Sequence, residues 1–120
     1  MLTRSLIVSF AVATATALTA CGASVPPPTD RMASAEAATR SARELGAANE
    51  PRAALHVKLA EEQIGEARAL IKKDDNKRAD LVLQRASADA ELAVGLVKEQ
   101  TATAAAAKAK EAVSTQKGGR

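Results

Sequence analysis

At 120 residues, with 17 basic against 14 acidic side chains and a formal net charge of +3, the chain suits one small, weakly charged domain. Its single cysteine excludes an internal disulfide. Its single aromatic, Phe10, excludes the stacking platforms on which sites for bases, sugars and flat cofactors commonly depend, so no large small-molecule pocket is expected. Acidic residues are interspersed among the basic ones throughout, which argues against a nucleic-acid surface.

The chain opens with MLTR, carrying one positive charge, and continues as SLIVSFAVATATALTA, an apolar run that fits an export signal and is short for the ~20 residues of a membrane-spanning helix. The run ends in Leu18-Thr19-Ala20-Cys21-Gly22. This order of one large aliphatic residue, two small ones and a cysteine resembles the lipobox of bacterial lipoproteins, where a peptidase takes up extended backbone just before the cut. The resemblance implies that Cys21 becomes the mature N-terminus, with a diacylglycerol on its sulfur and an acyl chain on its amine. Three chains far exceed the marginal membrane hold of one. A free buried cysteine is the competing reading, but it leaves the charge, the apolar run and the small residues unexplained. Among such lipoproteins, glycine rather than aspartate after the cysteine implies the periplasmic face of the outer membrane. Loss of residues 1–20 takes away only Arg4 among charged residues, and it takes away Phe10, so the mature chain would carry 16 basic and 14 acidic groups and no aromatic at all.

Residues 21–29 then form the lipidated N-terminus and a tether. Pro26-Pro27-Pro28 favours polyproline II, a stiff spacer rising about 3.1 Å per residue, although the same prolines would also suit a docking motif for a proline-recognition domain. Thr29 or Asp30 can cap a first helix, in which Ala35, Ala38, Ala42 and Leu45 recur at 3,4,3 spacing, with Gly46 ending it. After the loop GAANEP, Asn49 or Glu50 can cap a second helix with Pro51 in its first turn. That helix, roughly residues 51–73, lines up Ala53, Val57, Ala60, Ile64, Ala67 and Ile71; Lys72 and Lys73 suit its C-terminus. Asp74-Asp75-Asn76 supplies turn residues and the next cap, and a third helix repeats the stripe with Ala79, Leu83, Ala86, Ala90, Ala93 and Val97. Two matched stripes joined by so short a turn predict an all-α fold over residues 30–100: an antiparallel helical hairpin with a shorter N-terminal helix, packed in coiled-coil fashion through alanine. Residues 101–120 have high helix propensity and almost no large apolar side chain, which predicts a helical extension fraying into a disordered end.

Off the main stripes lie Leu55, Leu59 and Leu70 on the second helix, and Leu81, Val82, Leu92, Val94 and Leu96 on the third. Some must cover the first helix in a three-helix arrangement; the rest, with Leu59, Leu81 and Leu92 as candidates, would form a partner surface. Chemistry is sparse. His56 is the sole histidine, with Glu50 and Glu61 its candidate orienting carboxylates, and no nucleophile motif accompanies it. A zinc site lacks a second histidine or a free thiolate. Counting from Asp74, the EF-hand positions that require glycine and glutamate hold Ala79 and Arg85. Gly118-Gly119 has neither strand before it nor helix after it, as a phosphate loop requires. These residues predict a non-enzyme with no metal, cofactor, catalytic residue or small-molecule substrate.

LGAANEPRAALHVKLAEEQIGEARALI followed by ADLVLQRASADAELA resembles the bacterial family called domain of unknown function 4398. The shared features over about residues 30–100 are a small helical domain behind a lipobox, a Gly-Ala turn, a proline opening the second helix and a DAELA-like segment on the third. The resemblance implies an envelope location and a role in envelope organisation, and transfers no catalytic residue. Some relatives resemble fusions to an OmpA-like peptidoglycan-binding module, for which this chain has no room. The leading expectation is a lipid-anchored periplasmic adaptor or scaffold, held by Cys21 and presenting its helices to an envelope protein. Two rivals stand beside it: a self-assembling structural coiled coil, and a binder of peptidoglycan or another anionic polymer through Lys98, Lys108, Lys110, Lys117 and Arg120.

Overall fold

The computed structural model describes residues 24–119; the export signal, Leu18, Thr19, Ala20 and Cys21 lie outside the described residues, as does Arg120. Three helices follow in order, α1 (Thr29–Glu44), α2 (Pro51–Ile71) and α3 (Asn76–Gly118), with a single 3₁₀ turn at Ala47–Asn49. The fold is the all-α, three-helix arrangement built on an antiparallel hairpin. α1 runs up beside α3, α2 returns between the two turns, and α3 continues past the top of the bundle.

Local chemistry explains each boundary. α1 begins straight after Pro28, whose carbonyl accepts from Met32 N–H at 3.0 Å, and no side chain caps it, so neither Thr29 nor Asp30 plays the expected part. It stops where Gly46 turns left-handed at φ 93°, a conformation glycine adopts without steric cost. Glu50 caps α2 by accepting from Ala53 N–H, with Pro51 in the first helical position. At the far end of α2, Asp74 takes φ 58°, and Asp75 N–H and Asp74 N–H reach back to the carbonyls of Leu70 and Ile71, each at 3.0 Å. These paired bonds close the helix as a Schellman motif. Asp75 then caps α3 through Arg78 N–H.

Core packing follows the 4,3 stripes. On α3 all six stripe residues, Ala79, Leu83, Ala86, Ala90, Ala93 and Val97, are buried, as are Ala53, Val57, Ala60, Ile64 and Ala67 on α2. Two expectations shift at helix ends: Leu70 rather than Ile71 completes the α2 seam, and Thr39 rather than Ala38 or Leu45 completes that of α1, leaving Leu45 46% exposed. Thr39 tolerates burial because its hydroxyl donates to the Ala35 carbonyl at 2.8 Å. The lower cluster joins Ala35, Ile64, Leu70, Val82 and Leu83; the upper joins Ala42, Ala47, Val57, Ala93 and Val97. Ten of the sixteen buried apolar residues described are alanine, so backbones approach closely while each side chain removes little apolar area from water. Past Val97 the partners end, and every described residue from Lys98 onward is exposed, so α3 projects as a bare helical arm of roughly 20 residues, about 30 Å long.

Candidate functional site

The two flanks of the α2–α3 seam differ. On one, α1 is held by ion pairs: Arg43 with Glu61, Arg68 with Glu36 at 2.6 Å, and Arg31 with Asp80. Glu61 and Arg68, seven residues apart, mark the α1-facing line of α2. The guanidinium of Arg31, aided by the Gln84 amide, holds the Asp80 carboxyl below its usual pKa against the opposing effect of burial. Exposed pairs of this kind contribute little stability, but they fix which flank α1 occupies.

On the other flank His56 and Gln63, again seven apart on α2, converge on Asp89 of α3. His56 Nδ1 donates to Asp89 Oδ1 at 2.8 Å and Gln63 Nε2 donates to Oδ2 at 2.7 Å. The carboxylate thus bridges the hairpin through both oxygens. Gln63 Oε1 is buried without a partner among the described residues. His56 and Asp89 are each about one-fifth exposed, so the cluster sits at the surface of the seam rather than inside it. Glu50 and Glu61, the carboxylates expected beside His56, are elsewhere. Glu61 pairs with Arg43, and Glu50 caps α2 and binds Arg52 at 3.0 Å. Burial raises the Glu50 pKa, but the hydrogen bonds from Ala53 N–H and Arg52 outweigh it and hold the carboxyl below its usual range.

Leucines frame this cluster. Leu59 lies between His56 and Gln63 at 3,4 spacing on the same strip and is half-buried. Leu92 follows Asp89 by three residues and is 47% exposed; Leu81, three turns earlier on the same line, is 51% exposed; Leu55, beside His56, is 54% exposed. Of the remaining off-stripe residues, Leu70 and Val82 join the core, and Val94 and Leu96 pack partly against it. The expected division between core and surplus therefore exists, and the surplus gathers beside the flank that α1 leaves open. The sequence reading missed Asp89 and Gln63. Their signal was present: pairing the two stripes antiparallel sets residues 56 and 63 across from residue 89.

Chemically, the cluster orients an imidazole but offers it nothing to activate. The neighbouring strip positions are Leu55, Leu59, Arg85, Leu92 and Leu96, with no hydroxyl or thiol among them. Among the described residues no group of three or more His, Cys, Asp or Glu is arranged to hold a metal ion, and no helix is long and apolar enough to cross a membrane. The arm lysines do not converge: Lys110 and Lys117 share one line of α3, whereas Lys98 and Lys108 lie on other faces. Compared with models of known protein families, with curated proteins and with solved structures, the chain matches none.

Proposed function

We propose that this protein is a non-catalytic, lipid-anchored periplasmic adaptor, fixed to the outer membrane through acyl chains on Cys21 and binding an envelope protein with the flank of the hairpin that α1 leaves open. The observation that carries the partner surface is the exposure of Leu55, Leu81 and Leu92, with half-buried Leu59, along the flank that carries the His56–Asp89–Gln63 cluster. Exposed leucines offer apolar area for a partner to cover, and the fixed carboxylate beside them can set its register. The lipobox-like residues Leu18, Thr19 and Ala20 before Cys21 support the envelope location. In the test, a Cys21→Ser variant leaves the membrane fraction, and Leu81→Asp with Leu92→Asp leaves the protein folded and anchored but abolishes co-purification of its partner. Retention of the same partner by the folded double variant would end this reading.

A second reading, self-association, is favoured by one observation on α3. Leu81, Arg85, Ala88, Leu92, Gly95, Glu99, Ala102, Ala106, Ala109 and Val113 follow a second 4,3 register, and all are exposed. A dimeric mass at micromolar concentration, lost on Leu92→Asp, would favour it over the adaptor.

A further inference from the structure

The end of the bundle at which the chain enters is fixed by one buried residue. Asn76, the first residue of α3, is only 7% exposed, and its Nδ2 donates to the carbonyl of Val25 at 2.7 Å. Its Oδ1 is buried with no partner among the described residues, so the tether contact is the one side-chain hydrogen bond Asn76 makes. The tether is thereby pinned to the α2–α3 turn. Val25 follows Cys21 by four residues, which can span at most about 14 Å of extended chain, so whatever holds Cys21 lies close to that turn.

Among the described residues, unpaired lysines lie both along the arm, at Lys98, Lys108, Lys110 and Lys117, and at the turn, and the turn group adds a second observation because the tether is pinned there. Along the α1 flank Arg31, Arg43 and Arg68 are matched to acids, and Lys58 lies 3.8 Å from Glu62. At the turn, Lys72, Lys73 and Lys77 are exposed and have no ion-pair partner among the described residues. The acids at this end are Asp30, Asp74, Asp75 and Asp80, of which Asp75 is engaged by the Arg78 guanidinium at 3.2 Å and Asp80 by Arg31. Three free ammonium groups thus surround the point at which the tether meets the domain.

We propose that the α2–α3 turn is the membrane-facing end of the molecule and that Lys72, Lys73 and Lys77 rest on the headgroups of anionic phospholipid. This rests on the reading of Cys21 as the lipid anchor. Ammonium groups within a Debye length of an anionic surface are attracted to it, and the acyl chains keep them within that distance. The 43-residue α3 then runs away from the bilayer, carrying its C-terminal arm as far as about 64 Å from the surface. The partner flank stands between the two ends, clear of the lipid.

The full-length lipoprotein in vesicles of phosphatidylethanolamine and phosphatidylglycerol provides the test. Lipidated Cys21 has no free thiol, so Lys73→Cys and Lys110→Cys each give one labelling site for a donor dye, with an acceptor on the lipid headgroup. The expected result is energy transfer several-fold stronger at position 73 than at position 110. The turn label should recede when Lys72→Gln and Lys77→Gln are added, or when phosphatidylcholine replaces both lipids; in the Lys110 protein, Asn76→Ala should narrow the difference between ends. Equal transfer from the two positions, or a turn label indifferent to lysine neutralisation and lipid charge, overturns the proposal. Intact mass separates the two levels of failure. Acylated protein with equal transfer refutes the orientation alone, and protein lacking the acyl mass refutes the anchor and the orientation together.

Discussion

His56 on α2 and Asp89 on α3 meet at 2.8 Å, and the same carboxylate takes a second hydrogen bond from Gln63. This is a buried-edge polar link across the hairpin seam on the side without α1, where Arg52 also reaches Glu99 at 3.4 Å in a more exposed pair.

Truncating the link tests its structural share. Asp89→Ala leaves the Gln63 amide with both ends unpaired and should cost about 1 kcal/mol, read as a shift in urea midpoint at unchanged m-value. A double-mutant cycle with His56→Ala should give a coupling of several tenths of a kcal/mol or more. Strict additivity would show that the two side chains merely lie side by side.

Core and surface leucines should part sharply. Leu83 is fully buried, and Leu83→Ala should cost roughly 2–5 kcal/mol, enough to unfold much of so small a domain. Leu81→Ala should stay within about 0.5 kcal/mol of wild type, because half of Leu81 is already in water. Thermal melting of the two variants decides the point; equal losses would make Leu81 part of the core.

Two glycines should respond in opposite directions. Gly46 holds φ 93°, so Gly46→Ala should destabilise by about 1 kcal/mol or more even though the added carbon would meet only the Asn49 side chain at 3.5 Å. Gly95 is a mid-helix residue with open space around it, and Gly95→Ala should stabilise by about 0.5–1 kcal/mol. If Gly95→Ala stabilises the protein yet weakens its association with the partner, the helix face around Leu92 is in contact there.

Acid sensitivity follows from Glu50 and Asp80, whose carboxyls are held below their usual pKa values. Groups depressed on folding contribute stability above their unfolded pKa and lose it as pH falls through the folded one. Stability should therefore be level from neutrality down to about pH 5 and decline below about pH 4. In Glu50→Gln combined with Asp80→Asn, the plateau should be lower and the decline shallower; an unchanged slope would mean that other carboxylates dominate.

Hydrogen exchange should divide α3 at the end of the bundle. Amides of residues 79–97 lie in the packed segment and should be protected, whereas those beyond residue 105 belong to a helix with no tertiary support and should exchange near the unprotected rate. Strong protection of the arm in the isolated protein would reveal a partner for it, beginning with a second copy.

Much of the architecture was legible because alanine and branched residues repeat at one spacing on α2 and α3, and because Gly46, Pro51 and Asp75 punctuate the chain where backbone chemistry demands it. The ends of α1 were harder. Three prolines set its start without a side-chain cap, and its seam closes on Thr39, a polar residue whose hydroxyl is satisfied by the preceding turn. The site was half legible: surplus leucines stand out by composition, but Asp89 becomes a partner of His56 only once the two stripes are registered against each other. The Asn76 contact to Val25 spans 51 residues of chain and carries no local signal at all.

On the proposal made above, the flank around His56 and Asp89 receives an envelope protein. Photo-crosslinking in living cells tests it most directly, with the reactive residue placed in turn at Leu59, Leu81 and Leu92 of the full-length protein and, for contrast, at Arg40 on the exposed side of α1 and at Lys108 on the arm. One heterologous envelope protein should be captured from the three leucine positions and not from Arg40. Capture of its own chain alone, or of the same proteins equally from Arg40, would contradict it.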